Sequence, residues 1–161
     1  MPTLDGEAPV SATLYVREDL PRPARERAAS VRATLRDLAS DGALAAVETT
    51  RWPKRVPIDG CDRDVRDVYL EFTDWAREHE ARLAPFFAIR ECYSPAAESH
   101  TDWLVVPAFA MALHADDALA AVYPHHDGEE TVSVEAGLDR VRARAGVLSS
   151  RDDATADGTL A

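Results

Sequence analysis

Histidine, cysteine, clustered carboxylates and clustered guanidinia are the side chains of this sequence that could do chemistry. The histidines are His79, His100, His114, His125 and His126. His125-His126-Asp127, followed by Gly128 and preceded at a distance by Cys92 and His100, comes nearest to a metal or acid–base site. Adjacent residues of a strand point to opposite faces, so His125 and His126 share one ion only if the backbone turns between them. No CxxC, HExxH or HxH spacing is present. A His-, Asp- and Gly-rich turn at a strand end needs no function to explain it. Cys61 lies beside Asp62 and Asp64, which disfavour its thiolate, and Cys92 reads as a small core residue. No GxSxG and no glycine-rich phosphate loop occurs among the seven glycines. No catalytic residue and no cofactor is therefore assigned.

The cations are more informative. On a helix, Arg22, Arg25, Arg32 and Arg36 fall within about 80° of one another. The loop Arg51-Trp52-Pro53-Lys54-Arg55 adds three cations and an aromatic ring, and it holds the only lysine. Residues 22–55 carry eight basic and four acidic side chains, a local +4, which leaves 10 basic against 25 acidic elsewhere, −15. Such asymmetry marks an anionic partner. Guanidinium forks suit phosphate, and an exposed Trp52 would stack on a base. The competing reading lies downstream, where Asp64, Asp67, Glu71, Asp74 and Glu78 form an equally narrow stripe on a second helix. If both helices lie side by side on one face of a sheet, the arginines simply face these carboxylates. As a metal site the stripe lacks the Glu-x-x-His pattern of carboxylate centres.

The elements that must position these groups follow from periodicity. Residues 12–18 alternate as a strand. Pro21 and Pro23 then open a helix that runs to Ser40 and stops at Asp41-Gly42. Residues 44–57 read as a strand that Pro53 interrupts, and 63–82 as a second helix with a wide apolar face. Residues 86–94, 102–115 and 118–127 read as three strands in a meander, the last two joined at Asp116-Asp117. Pro107 has no N–H for a ladder, so a bulge or an edge is expected there. One face of 102–115 is mostly alanine, which predicts a helix pressed closely against it. A third helix covers 131–145. The fold class is α+β, in the order β-α-β-α-β-β-β-α, with one mixed sheet of about five strands and helices packed on it. The first crossover predicts a parallel pair. Residues 1–10 and the acidic 147–161 read as flexible tails around a single domain at 11–146.

Composition sets the frame. The chain has 161 residues, 46% of them hydrophobic, which suits one core. Its 18 basic and 29 acidic side chains give a net charge of −11, with 29 alanines. Acidic excess with one lysine is the composition of a halophile, where molar salt screens self-repulsion over about 3 Å. The N-terminus lacks the basic and apolar parts of a signal peptide, and no apolar run approaches the roughly 20 residues of a membrane span. Two cysteines make no disulfide framework. A cytoplasmic protein without a membrane partner is expected.

The segments LYVRE, LRDLASDGAL, TTRWPKRVP, EFTDWAREHEARLAPFF and VVPAFAMALHADDALAAVYPHHDGEETVSVEAGL, across residues 12–141, resemble a group of small haloarchaeal proteins. Some members carry a helix-turn-helix or transcription-related description; the resemblance supports the halophile reading and leaves function open. It brings no catalytic residues. This sequence departs from the description, because no segment offers two short helices around a tight turn. Two functions follow. The first is a non-enzymatic binding or regulatory module with a protein or small-ligand partner, self-associating as a homodimer through a sheet edge or apolar face. The second is a nucleic-acid-associated regulator using Arg22, Arg25, Arg32, Arg36, Arg51, Trp52, Lys54 and Arg55. An enzyme built on His125–Asp127 comes third.

Overall fold

The computed structural model describes residues 9–57, 63–94 and 99–144. The central sheet has four strands: β1 (Val10–Arg17), β2 (Ala46–Trp52), β7 (Phe109–Ala115) and β8 (Ala118–Tyr123), in the order β2-β1-β7-β8. β1 and β2 are parallel, as a β-α-β crossover requires, and β7 runs antiparallel to both β1 and β8. Two smaller sheets flank it. One holds β3 (Arg55–Pro57), β6 (Ser99–Val105) and β5 (Ala88–Ser94), and the other β10 (Glu130–Val132), β9 (His125–Asp127) and β4 (Ala81–Arg82). The helices are α1 (Arg22–Ser40), α2 (Arg63–Glu78) and α3 over 134–144.

The α+β class and the approximate element order match the expectation, and the sheet organisation is finer. The apolar stretch expected as one strand over 102–115 divides into β6 and β7, which belong to different sheets. Pro107 sits in the break. Around it the chain is held by isolated bonds rather than a continuous ladder: Val106 N–H donates to the Lys54 carbonyl at 3.2 Å, and Arg17 N–H to that of Ala108 at 3.0 Å. The Arg17 guanidinium donates to the Val106 carbonyl from Nε at 3.0 Å and also from Nη2. The meander therefore survives as two antiparallel pairs, β5–β6 and β7–β8. Residues 118–127 likewise divide at Pro124 into β8 and β9, and 44–57 at Pro53-Lys54 into β2 and β3. A missing N–H at each proline explains why a continuous ladder stops there. Residues 58–62, residues 95–98 and the two expected tails, apart from residues 9 and 10, lie outside the described residues.

Local chemistry fixes the ends. Asp116 and Asp117, both at positive φ (52° and 64°), make the two-residue turn between β7 and β8, as a right-twisted hairpin needs. Gly42, at φ 83°, closes α1, with Ala43 N–H donating back to the Leu38 carbonyl at 2.8 Å. Ser133 caps α3, its Oγ accepting from the Ala136 N–H at 3.1 Å.

Register assigns the helices to faces. Leu14 pairs with Met111, Val16 with Phe109, and Met111 with Tyr123, so these residues share one face. α1 and α3 cover it: the Arg27 guanidinium lies 5.0 Å over the Phe109 ring, and Gly137 abuts Tyr123. Tyr15, Ala110 and Ala112 take the opposite, alanine-rich face, which α2 covers through Phe72 against Tyr15 and through the Trp75 Nε1–H to the Ala120 carbonyl at 3.0 Å. At Gly137 an added Cβ would meet the Tyr123 ring at 2.5–2.7 Å. Gly137→Ala is therefore expected to cost about 1–3 kcal/mol in urea unfolding by overpacking. An unchanged midpoint would show that α3 does not seat on Tyr123.

Candidate nucleic-acid interface

The placement of α1 and α2 bears on the competing reading, in which the arginines face the carboxylates of α2. They lie on opposite faces of the central sheet, so the side-by-side arrangement does not occur. Among the described residues, Arg22, Arg25, Arg32 and Arg36 make no ion pair with a carboxylate of α2; Arg22 instead pairs with Glu26 one turn along α1, at 3.1 Å, and both are exposed. Arg25, Arg32 and Arg36 are exposed too.

The flank they occupy follows from helical geometry. Ala28, Val31 and Leu35 are the buried stripe of α1. Arg27 and Thr34 fall on one side of it and reach α3, through Arg27 to Glu135 at 2.8 Å and Thr34 to Arg142 at 3.4 Å. The four arginines fall about 100° to the other side of the stripe. α3 sits over Tyr123 of β8, so this arginine flank looks toward β2, the opposite edge of the sheet. Arg51 of β2 is exposed and pairs in register with Val16, which puts it on the α1 face. It stands at the carboxyl end of β2, the end from which α1 starts. Lys54 and Arg55 follow directly and are exposed, the Arg55 guanidinium lying 4.9 Å over the Trp103 ring.

Trp52 requires a correction. It is 2% exposed, stacks on Tyr15 at 4.8 Å and meets Phe87 edge-on at 5.9 Å, so it has no free face for a base. The end of β2 turns this ring onto the α2 face of the sheet, away from Arg51. Its Nε1–H is buried without an acceptor, the sole such side-chain atom among the described residues. An unpaired buried donor costs about 1–3 kcal/mol, which offsets the loss of indole area in Trp52→Phe. That variant is expected to keep its unfolding free energy within about 1.5 kcal/mol and to leave nucleic-acid affinity unchanged. An affinity loss would return Trp52 to the interface.

The histidine turn is divided as strand geometry dictates. His125 is buried, with Nδ1 at 2.6 Å from the Val122 carbonyl and its ring against Trp75 and Tyr123. His126 stacks on Phe86 and places Nδ1 3.2 Å from Thr131 Oγ1. Among the described residues no three of His, Cys, Asp and Glu gather as a metal set. Cys61 and the side chains of Cys92 and His100 lie outside the described residues.

Burial lowers the His125 pKa, with smaller contributions from the Val122 carbonyl, which raises it, and Arg140, which lowers it. Folding thus favours the neutral ring. An unfolded histidine binds its proton near 6.5, so His125 leaves stability untouched above that value and subtracts from it as pH falls through 6.5. In urea unfolding between pH 8 and pH 5, His125→Asn should flatten the acid-side loss. Parallel curves for the two proteins would contradict this.

Sequence reasoning passed over a cleft of ≈ 330 Å³ between α2 and β8, lined by Glu71, Asp74, Trp75, Glu78, His79, Ala118 and Leu119. Glu71 also lies 3.6 Å from His114. Burial, then Glu71 and Glu48, raise the Tyr15 pKa. The 3-4-3-4 carboxylate spacing was the available signal; the hairpin that forms the other wall was not readable beside it. The two faces of the sheet therefore differ in charge, with α1 arginine-rich and α2 carboxylate-rich.

No helix among the described residues is long and apolar enough to cross a membrane. Among the described residues, no two of the three helices are joined by a tight turn, since β2 and β3 separate α1 from α2, and seven strands separate α2 from α3. Comparison with curated proteins finds no match, and comparison with solved structures finds none. A family model described as a helix-turn-helix domain matches residues 5–146, nearly the whole chain. By that match the chain belongs to a helix-turn-helix domain family.

Proposed function

We propose that this protein is a nucleic-acid-associated regulator that grips the phosphate backbone with the arginine flank of α1 and the Arg51–Arg55 segment. The observation that carries the reading is that Arg25, Arg32 and Arg36 open onto solvent, on the opposite side of the sheet from the carboxylates that would have neutralised them. Membership of a helix-turn-helix domain family supports it independently. The contact is backbone-positioning rather than base-reading: four guanidinia spread over about 21 Å of helix supply forks for phosphate oxygens. A helix-turn-helix reader instead inserts the second of two closely joined helices into the major groove. The working compartment is the salt-loaded cytoplasm of a halophile, where the net charge of −11 is background and the local +4 over 22–55 is the departure from it.

Phosphate contacts release counterions, so affinity falls steeply with salt. The test is mobility shift of genomic duplex fragments by the full chain, from about 0.2 M to about 1 M KCl. Binding that weakens when Arg51 and Arg55 become alanine is expected. No binding at any salt, or equal binding by that variant, would remove the reading and leave a module for a protein or small ligand.

A further inference from the structure

Among the described residues, β2 forms an open edge of the central sheet. All seven of its residues pair with β1, and among the described residues it pairs with no other strand. Glu48, Thr49, Thr50 and Arg51 are exposed. An open row of backbone N–H and C=O groups is a template for another strand, which proteins blunt with lysine, proline, bulges or shortness. β2 carries the charged Glu48 and Arg51 but none of the stronger devices: AVETTRW has no proline and no lysine, and its pairing with β1 is free of register shifts. Val47, Thr49, Thr50 and Trp52 are strand-favouring types. We propose that β2 is the seam of a symmetric dimer, in which it pairs antiparallel with β2 of a second copy of this chain.

Symmetry restricts the register. A two-fold axis perpendicular to the sheet keeps each face on its own side, so residues opposed across the seam share a face. Glu48 lies beside Thr13 and Arg51 beside Val16, on different faces, so they cannot oppose one another. Pairing centred on Thr49 satisfies the rule. It sets Thr49 against Thr49 of the second copy, Glu48 against Thr50, and Val47 against Arg51. Threonine pairs are favourable and no like charges meet. A strand of uniform charge would meet its own sign at Glu48 or at Arg51; β2 itself does not, which favours a second copy as the occupant.

The seam joins two four-stranded sheets into one of eight, with both α1 helices on the same face. Each arginine flank looks toward β2, so the two flanks meet about the two-fold axis as one basic surface. Only this consequence rests on the nucleic-acid reading. The flanks repel in dilute buffer, so dimerisation strengthens with added salt.

Sedimentation equilibrium of the full chain in about 1 M KCl should give twice the chain mass. Thr49→Lys opposes like charges across the axis and should weaken the dimer about tenfold with an unchanged thermal melt, while Thr49→Ser retains it. With Cys61 and Cys92 replaced by serine, Thr49→Cys should cross-link under mild oxidation and Asp74→Cys should not. A monomer at every concentration and salt, or a dimer indifferent to Thr49 in mass and cross-linking, overturns the seam. Nucleic-acid binding by such a monomer would leave the phosphate reading standing, and a Thr49-dependent dimer that binds none would sink that reading alone.

Discussion

Replacing Arg25, Arg32 and Arg36 together by alanine is expected to weaken duplex binding roughly a hundredfold near 0.2 M KCl, about equally for every sequence tested. Uniform loss is the signature of phosphate contacts, because the backbone carries no base information. The folded state should tolerate the change. All three side chains are exposed, none belongs to the buried stripe of α1, and alanine is the best helix former. The matching replacement of Asp67, Asp74 and Glu78 on α2 by their amides should leave affinity within about twofold, apart from a general gain from lower net negative charge. A loss confined to one sequence would point to base readout, and no loss would mean that the arginines serve only solubility.

The largest effect on stability is expected at Phe72. This ring is 1% exposed and lies between Tyr15 at 5.8 Å and Phe87 at 5.7 Å, both edge-on. It ties α2 to the central sheet and to the start of β5. Truncation to alanine removes the transfer free energy of the ring and leaves a cavity walled by rigid aromatics, at a cost of about 3–5 kcal/mol. Against a total of roughly 5–15 kcal/mol for a domain this is a large fraction. Leu70, two residues away on the same helix but 52% exposed, should cost less than about 0.5 kcal/mol as alanine. Urea unfolding of both variants checks the pair; similar values for the two would contradict the placement of α2 on the Tyr15 face.

The elements were more legible in the sequence than their arrangement. The periods of α1 and α2, the Asp116-Asp117 hairpin and the Gly42 stop are written in local chemistry, and each was readable. Pro107 announced an irregularity, but not that β6 and β7 would join separate sheets, which depends on Arg17 reaching Val106 across 89 positions of sequence. Trp52 failed for a related reason. Beside Arg51, Lys54 and Arg55 it looks like part of an exposed basic loop, yet strand alternation turns it onto the Tyr15 face, where Phe87 closes over it. The arginine stripe was visible from its spacing. Whether it met the α2 carboxylates was not, because helical periodicity says which flank of a helix a residue takes and nothing about which face of a sheet that helix covers.

The measurement closest to the central claim is the dependence of duplex affinity on KCl concentration for the wild type and for the Arg25, Arg32 and Arg36 variant. Each phosphate contact contributes about −0.9 to the slope of log K against log salt on a duplex. If the α1 flank holds the backbone, the variant's slope is shallower than the wild type's by nearly three. Two lines of equal slope, displaced or not, would show that these guanidinia release no counterions and that α1 is not the interface.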